Sequence, residues 1–120
     1  MLRVLIVDDE ESVSSLLEEF LAMKGYRCTI ATNAAEARSL FKEKHFDLVL
    51  SDLNMPGESG FQLLRYVLSE RPDTGAILYT GYHSVEVQNK ALELGVSAYI
   101  TKPFSLDSLL SNLNAVLAQR

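Results

Sequence analysis

Cysteine is nearly absent: Cys28 is the only one in 120 residues, so no disulfide can form within the chain, which fits a reducing compartment. Cys28 reads as a small core residue. Long apolar runs are also missing. None exceeds four residues, against the roughly 20 that a membrane-spanning helix needs. Val4 to Val7 is too short for the apolar segment of a signal peptide. A cytoplasmic protein without membrane contact is therefore expected. Positive charge is scarce as well: 11 Lys and Arg against 16 Asp and Glu give a net charge of −5 with no basic stripe, which argues against direct nucleic-acid binding. His45 and His83 are not at zinc-ligand spacing. No Gly-x-x-x-x-Gly-Lys-Ser/Thr segment occurs, which excludes a P-loop nucleotide enzyme.

What is present suits one compact core. With 48% hydrophobic residues, a chain of this length hides roughly two-thirds of its unfolded surface and needs no disulfide or metal staple. A single domain over 1–120 is expected. Leu2 to Val7 is a β-branched apolar stretch, after which Val13, Leu16, Leu17, Phe20 and Leu21 recur at helical spacing until Gly25. The cycle repeats with Tyr26 to Ala31 then Ala34 to Lys44, Leu48 to Ser51 then Phe61 to Ser69, and Ala76 to Tyr79 then Ser84 to Leu94. A fifth unit has Ala98 to Thr101 as strand and a last helix with Leu106, Leu109, Leu110, Leu113, Val116 and Leu117 on one face, running to Arg120. No linker or low-complexity tract interrupts the pattern.

Strands separated by helices of this length run parallel through right-handed crossovers, so the class is α/β. The second strand alternates Tyr26, Cys28 and Ile30 with Arg27 and Thr29, as a strand with one wetter face does. It belongs at a sheet edge.

Ligands of open parallel sheets bind outside the carboxyl ends of the strands. The first strand runs into Asp8 and Asp9, the third into Asp52, the fourth into Thr80 and the fifth into Lys102. Each has an ordinary explanation alone. Acids suit a helix N-terminus, Asp52 suits a turn, threonine is a β-former, and lysine suits any surface. Capping gives no reason, however, for acids, a hydroxyl and an ammonium to end neighbouring strands together. Clustered carboxylates repel one another without a cation, and hard oxygen ligands suit Mg²⁺ better than Zn²⁺. A carboxylate beside Mg²⁺ with a hydroxyl and an ammonium nearby is equipment for handling a phosphoryl group.

These residues resemble the receiver domain of two-component response regulators, from Val4 to Leu117. Val-Asp-Asp-Glu at 7 to 10 is similar to the family's acidic pocket, and Ser-Asp-Leu-Asn-Met-Pro-Gly-Glu-Ser-Gly at 51 to 60 to its phosphoacceptor segment. Tyr-Thr-Gly-Tyr at 79 to 82 and Tyr-Ile-Thr-Lys-Pro-Phe at 99 to 104 complete the pattern. The resemblance implies a flavodoxin-like, doubly wound (βα)5 fold with strand order 2-1-3-4-5. It implies Asp52 as phosphoacceptor, with Asp8, Asp9, Asp52 and the backbone carbonyl of Asn54 around Mg²⁺, Asp8 acting mainly through a bound water. It implies Lys102 and Thr80 as partners of the phosphoryl oxygens, a cis bond before Pro103, and Tyr99 as an aromatic switch that turns inward behind Thr80. The resemblance also places Asn54 and Tyr82, two residues beyond Asp52 and Thr80, beside the path of the hydrolytic water, and Tyr82 is read as a shield that lengthens the life of the acyl phosphate.

The implied partners are a sensor histidine kinase or phosphotransfer protein and a downstream output domain or protein. The output surface is that of the fourth helix, fifth strand and fifth helix, which also serves a phosphorylation-dependent dimer if one forms. Val85 and Leu92 sit at the side of the fourth helix, where either packing or a partner surface accounts for them. Met55 and Pro56 read as loop shape, Gly60 as relief of crowding, and His45 and His83 as exposed histidines outside the site. The alternative is a pseudo-receiver, a binding module that is never phosphorylated. An aspartyl phosphatase of similar topology lacks support, because its second catalytic aspartate is replaced by Asn54.

Overall fold

The computed structural model describes residues 1–119; the expected extension of the last helix to Arg120 lies outside the described residues. Ten elements alternate: β1 (Arg3–Val7), α1 (Glu11–Met23), β2 (Arg27–Ala31), α2 (Ala34–Glu43), β3 (Leu48–Asp52), α3 (Gly60–Glu70), β4 (Gly75–Thr80), α4 (Val85–Leu94), β5 (Ala98–Thr101) and α5 (Leu106–Ala118). All strand pairs are parallel, and the sheet order is β2-β1-β3-β4-β5. This is the flavodoxin-like arrangement, with β2 at the edge as its alternation demanded.

The period-two geometry of strands divides the core in two. Leu5, Val7, Val49, Ala76 and Leu78 face α2, α3 and α4, where they meet Ala37, Phe41, Leu63, Leu64, Val67 and Ala91. Val4, Ile6, Leu48, Leu50, Ile77 and Tyr79 face α1 and α5, where they meet Leu17, Leu21, Leu109 and Leu113. Strands buried on both sides read as continuous apolar runs for this reason. Four helices start on a side-chain cap: Asn33, Ser59, Ser84 and Ser105 each accept a backbone N–H from the third residue on, and Ser59 with Gln62 forms a reciprocal capping box.

Two strands extend one residue further than their apolar runs. Asp52 pairs with Tyr79 and Thr80 with Thr101, so both site residues stand on the ladder itself. Gly60 opens α3 one residue before the expected Phe61. A Cβ there would lie 2.4 Å from the Asp52 carbonyl oxygen and 2.9 Å from Leu53 Cα. Only glycine lets α3 start this close to the end of β3. On α4, Ala91 is buried while Val85 and Leu92 are exposed. Among the described residues no helix is long and apolar enough to cross a membrane.

Candidate functional site

Register brings the four strand ends to one rim. Beyond the ladder, Leu53 N–H donates to the Tyr79 carbonyl at 2.9 Å, Lys102 N–H to that of Thr80 at 2.8 Å, and Asp8 N–H to that of Ala31 at 3.1 Å. The first residues of each loop are therefore fixed by the neighbouring strand. Carboxylate oxygens of Asp8, Asp9 and Asp52 lie within 4.8 Å of one another, Asp8 and Asp52 buried and Asp9 exposed.

Asp8 does not cap α1. The N-cap is Glu10, which makes no side-chain cap bond. Asp8 Oδ1 instead accepts the Glu10 N–H at 2.8 Å, and Oδ2 accepts the hydroxyl of fully buried Tyr79 at 2.6 Å. Burial and the Asp8 charge both push the Tyr79 phenol far above its ordinary range, so it stays a donor.

Asp52 Oδ1 accepts the Asn54 N–H at 3.2 Å, while Oδ2 lies 3.5 Å from Lys102 Nζ. Burial raises the Asp52 carboxyl above its usual value; the Asn54 N–H and Lys102 oppose that rise, and Asp8 adds to it. This is a carboxylate whose charge is held at a cost, with one ammonium beside it. Lys102 Nζ also sits 5.1 Å from the centre of the Tyr79 ring, against which Phe104 packs edge-on. The Lys102–Pro103 bond is cis.

Thr80 is fully buried. Its Oγ1 accepts from Asn54 Nδ2 at 3.1 Å and from Tyr82 N–H at 3.0 Å. With both lone pairs engaged, the hydroxyl proton is what Thr80 has left to offer. Asn54 thus reaches the site through its side chain as well as its backbone. Tyr82 is 75% exposed, and its bond to Thr80 comes from its backbone.

Tyr99 is half-buried in β5. Its hydroxyl lies 3.2 Å from His83 Nδ1, and the two rings tilt together with centroids 5.8 Å apart. His83, read from sequence as an exposed histidine without a role, is indeed exposed but holds the switch candidate. The Tyr79 hydroxyl is not foreseen either, since position 79 reads as the end of an apolar run and the start of the Tyr-Thr-Gly-Tyr motif, with no role for the side chain. A third unforeseen contact is the two-pronged pair of Arg38 with Glu58, which ties α2 to the loop after β3 while the guanidinium covers the Tyr66 ring at 4.4 Å. A groove of about 680 Å³ opens beside Lys102, lined by Val13, Leu16, Phe104 and Leu106 among others.

Three carboxylates with oxygens this close, a lysine and a hydroxyl donor on one rim fit a hard dication and an incoming oxyanion. The family model of the response regulator receiver domain matches residues 4–114. The chain belongs to that family. This receiver is 40% identical to the regulatory protein AtoC of Escherichia coli over 107 residues, 89% of this chain and 23% of that protein. The chain spans between about a quarter and about half of the length of the curated relatives it matches. Among solved structures, a CheY-like receiver domain protein from Methanospirillum hungatei superposes with a TM-score of 0.95 at 33% identity, over 99% of this chain and 95% of that one. TrrA of Thermotoga maritima, solved in complex with Mg²⁺-BeF, superposes at 0.88 with 32% identity, over 97% and 99% of the two chains.

Proposed function

We propose that this receiver takes a phosphoryl group onto Asp52 from a phosphohistidine of a partner kinase or phosphotransfer protein, in a Mg²⁺-dependent reaction in the cytoplasm. The observation that carries the reading is the meeting of Asp52 with Lys102 at 3.5 Å inside the group of Asp8, Asp9 and Asp52. An Asp52 carboxylate oxygen forms a bond to phosphorus while the phosphorus–nitrogen bond breaks, and the electron pair leaves with the imidazole. An acyl phosphate results.

Asp8, Asp9, Asp52 and the Asn54 carbonyl are the oxygens that would hold Mg²⁺, Asp8 mainly through a bound water. When bound, the ion supplies positive charge for the phosphoryl oxygens. The protein's own groups do the rest. Lys102 Nζ offsets the Asp52 charge in the resting state and is free to follow the phosphoryl oxygens after transfer. The Thr80 proton becomes their donor. The groove beside Lys102 offers an incoming partner an apolar surface next to the acceptor.

Phosphorylation adds negative charge at the end of β3 and draws Thr80 towards it. Tyr99 leaves His83 and turns into the space behind Thr80, which reweights two states of the α4-β5-α5 surface. That surface, with Val85 and Leu92 on its α4 flank, is the proposed contact for an output domain or protein, or for a second receiver. Asn54 and Tyr82 flank Thr80 and are proposed to set the life of the acyl phosphate. The binding-module alternative has no observation in its favour, since none of Asp9, Asp52, Thr80 and Lys102 is lost. The test is calorimetric titration with beryllofluoride and Mg²⁺, in which tight binding that needs both and vanishes in Asp52→Asn is expected. Equal binding to the variant contradicts the reading.

A further inference from the structure

Tyr79 is a wholly buried residue whose hydroxyl serves no packing purpose, for a phenylalanine would fill the same space between α1, α5 and Phe104. A buried hydroxyl is costly unless bonded. Here it is spent on Asp8, 71 residues away in sequence, through a short bond of 2.6 Å in the range of a charge-assisted contact. The Glu10 N–H takes the other oxygen. Two donors on two different oxygens fix the rotation of the Asp8 carboxylate and leave its remaining lone pairs for the side on which Asp9 and Asp52 lie. The same side chain presents its ring face to the Lys102 ammonium at 5.1 Å, a favourable placement for a cation. One tyrosine thereby touches the negative and the positive arm of the site.

We infer that Tyr79 is a positioning residue of this receiver, its hydroxyl orienting Asp8 for Mg²⁺ and its ring seating Lys102, an inference that rests on the Mg²⁺-dependent reading above. Partners of a metal ligand that hold its orientation typically contribute about 10–100-fold to metal affinity when removed one at a time. The hydroxyl and the ring separate cleanly by substitution. Tyr79→Phe deletes the bond to Asp8 and keeps the ring under Lys102, whereas Tyr79→Leu deletes both.

Calorimetric Mg²⁺ titration of the intact chain is the first arm of the test, and the Mg²⁺ dependence of phosphorylation by acetyl phosphate the second. Tyr79→Phe is expected to weaken Mg²⁺ binding about tenfold and to raise the half-saturating Mg²⁺ concentration by the same factor. Its rate at saturating Mg²⁺ changes less than about threefold. Tyr79→Leu loses about tenfold in that saturated rate as well, because Lys102 is no longer seated. Mg²⁺ affinity within about twofold of wild type in Tyr79→Phe, with or without a lower melting temperature, overturns the inference. Wild-type protein with no measurable Mg²⁺ affinity overturns the underlying reading and the inference with it.

Discussion

The Asn54 side-chain amide donates to the Thr80 hydroxyl at 3.1 Å, joining the loop after β3 to the end of β4. The two residues are 26 apart in sequence, and the bond gives Asn54 a role that its backbone carbonyl alone does not. Asn54→Ala leaves Thr80 with one donor fewer in a buried position. A loss of about 1 kcal/mol in urea unfolding is expected, with a changed rate of acyl-phosphate loss. Unchanged stability and unchanged lifetime together would show the bond to be idle.

Gly60 offers a steric test of the acceptor segment. An alanine Cβ would sit 2.4 Å from the Asp52 carbonyl oxygen, and the obstructing atom is backbone, not a movable side-chain tip. Gly60→Ala should cost about 2–3 kcal/mol and displace Asp52 enough to slow phosphorylation. Chemical denaturation and acetyl phosphate kinetics measure both. A loss under about 0.5 kcal/mol would mean that α3 starts with more freedom than the contact allows.

Asp52 sets a pH dependence in the absence of Mg²⁺. Burial raises its folded carboxyl above the ordinary value of 3.8, so the fold favours the protonated form. The stability linked to that proton is fully present below the unfolded value and is lost as pH rises through the folded one. Asp52→Asn removes the charge yet keeps an oxygen for the Asn54 N–H. The variant is expected to melt higher than wild type at pH 7 without Mg²⁺, with the gap closing as pH falls through the raised folded value towards 3.8. A variant that melts lower at pH 7 would show that the Lys102 contact outweighs burial.

Cys28 tests the edge strand. Burial, with the Glu18 charge adding to it, pushes the thiol from 9.0 up to about 11. Reactivity follows the thiolate, so alkylation by iodoacetamide at pH 8 should run about 100-fold slower in the native protein than in urea. Equal rates would mean that β2 opens freely.

Much of this architecture was legible because it rests on local periodicity. The five βα units follow from apolar spacing, and the wet face of β2 marked it as an edge. Strand ends were harder. Asp52 and Thr80 have side chains that do not look like ladder residues, yet the backbones of Tyr79 and Thr101 pair with them. The candidate site was legible as a set of strand-end residues, not as a network. The bonds of Tyr79 to Asp8, His83 to Tyr99 and Arg38 to Glu58 span 71, 16 and 20 positions. Nothing in a periodic pattern says which of several tyrosines or arginines ends opposite which partner. Tyr79 illustrates the difficulty, since in an apolar run its ring accounts for its presence and its hydroxyl goes unnoticed.

His83 stands against Tyr99, with ring centroids 5.8 Å apart. Its Nδ1 lies 3.2 Å from the Tyr99 hydroxyl, so under the proposed inward turn of Tyr99 the His83→Ala substitution removes a contact of the starting arrangement alone. A bond of this kind contributes about 0.5–1.5 kcal/mol, and its loss should tighten beryllofluoride binding by about two- to tenfold. Calorimetry on the variant measures it; weaker binding would place His83 on the activated side of the switch instead.

The central claim is that Asp52 accepts a phosphoryl group in a Mg²⁺-dependent reaction. Intact mass after incubation with acetyl phosphate, with and without Mg²⁺ and beside Asp52→Asn, tests it most directly. The account predicts the gain of one phosphoryl group only when Mg²⁺ and Asp52 are both present. A gain that persists in Asp52→Asn, or no gain even from a phosphorylated kinase domain, would contradict it.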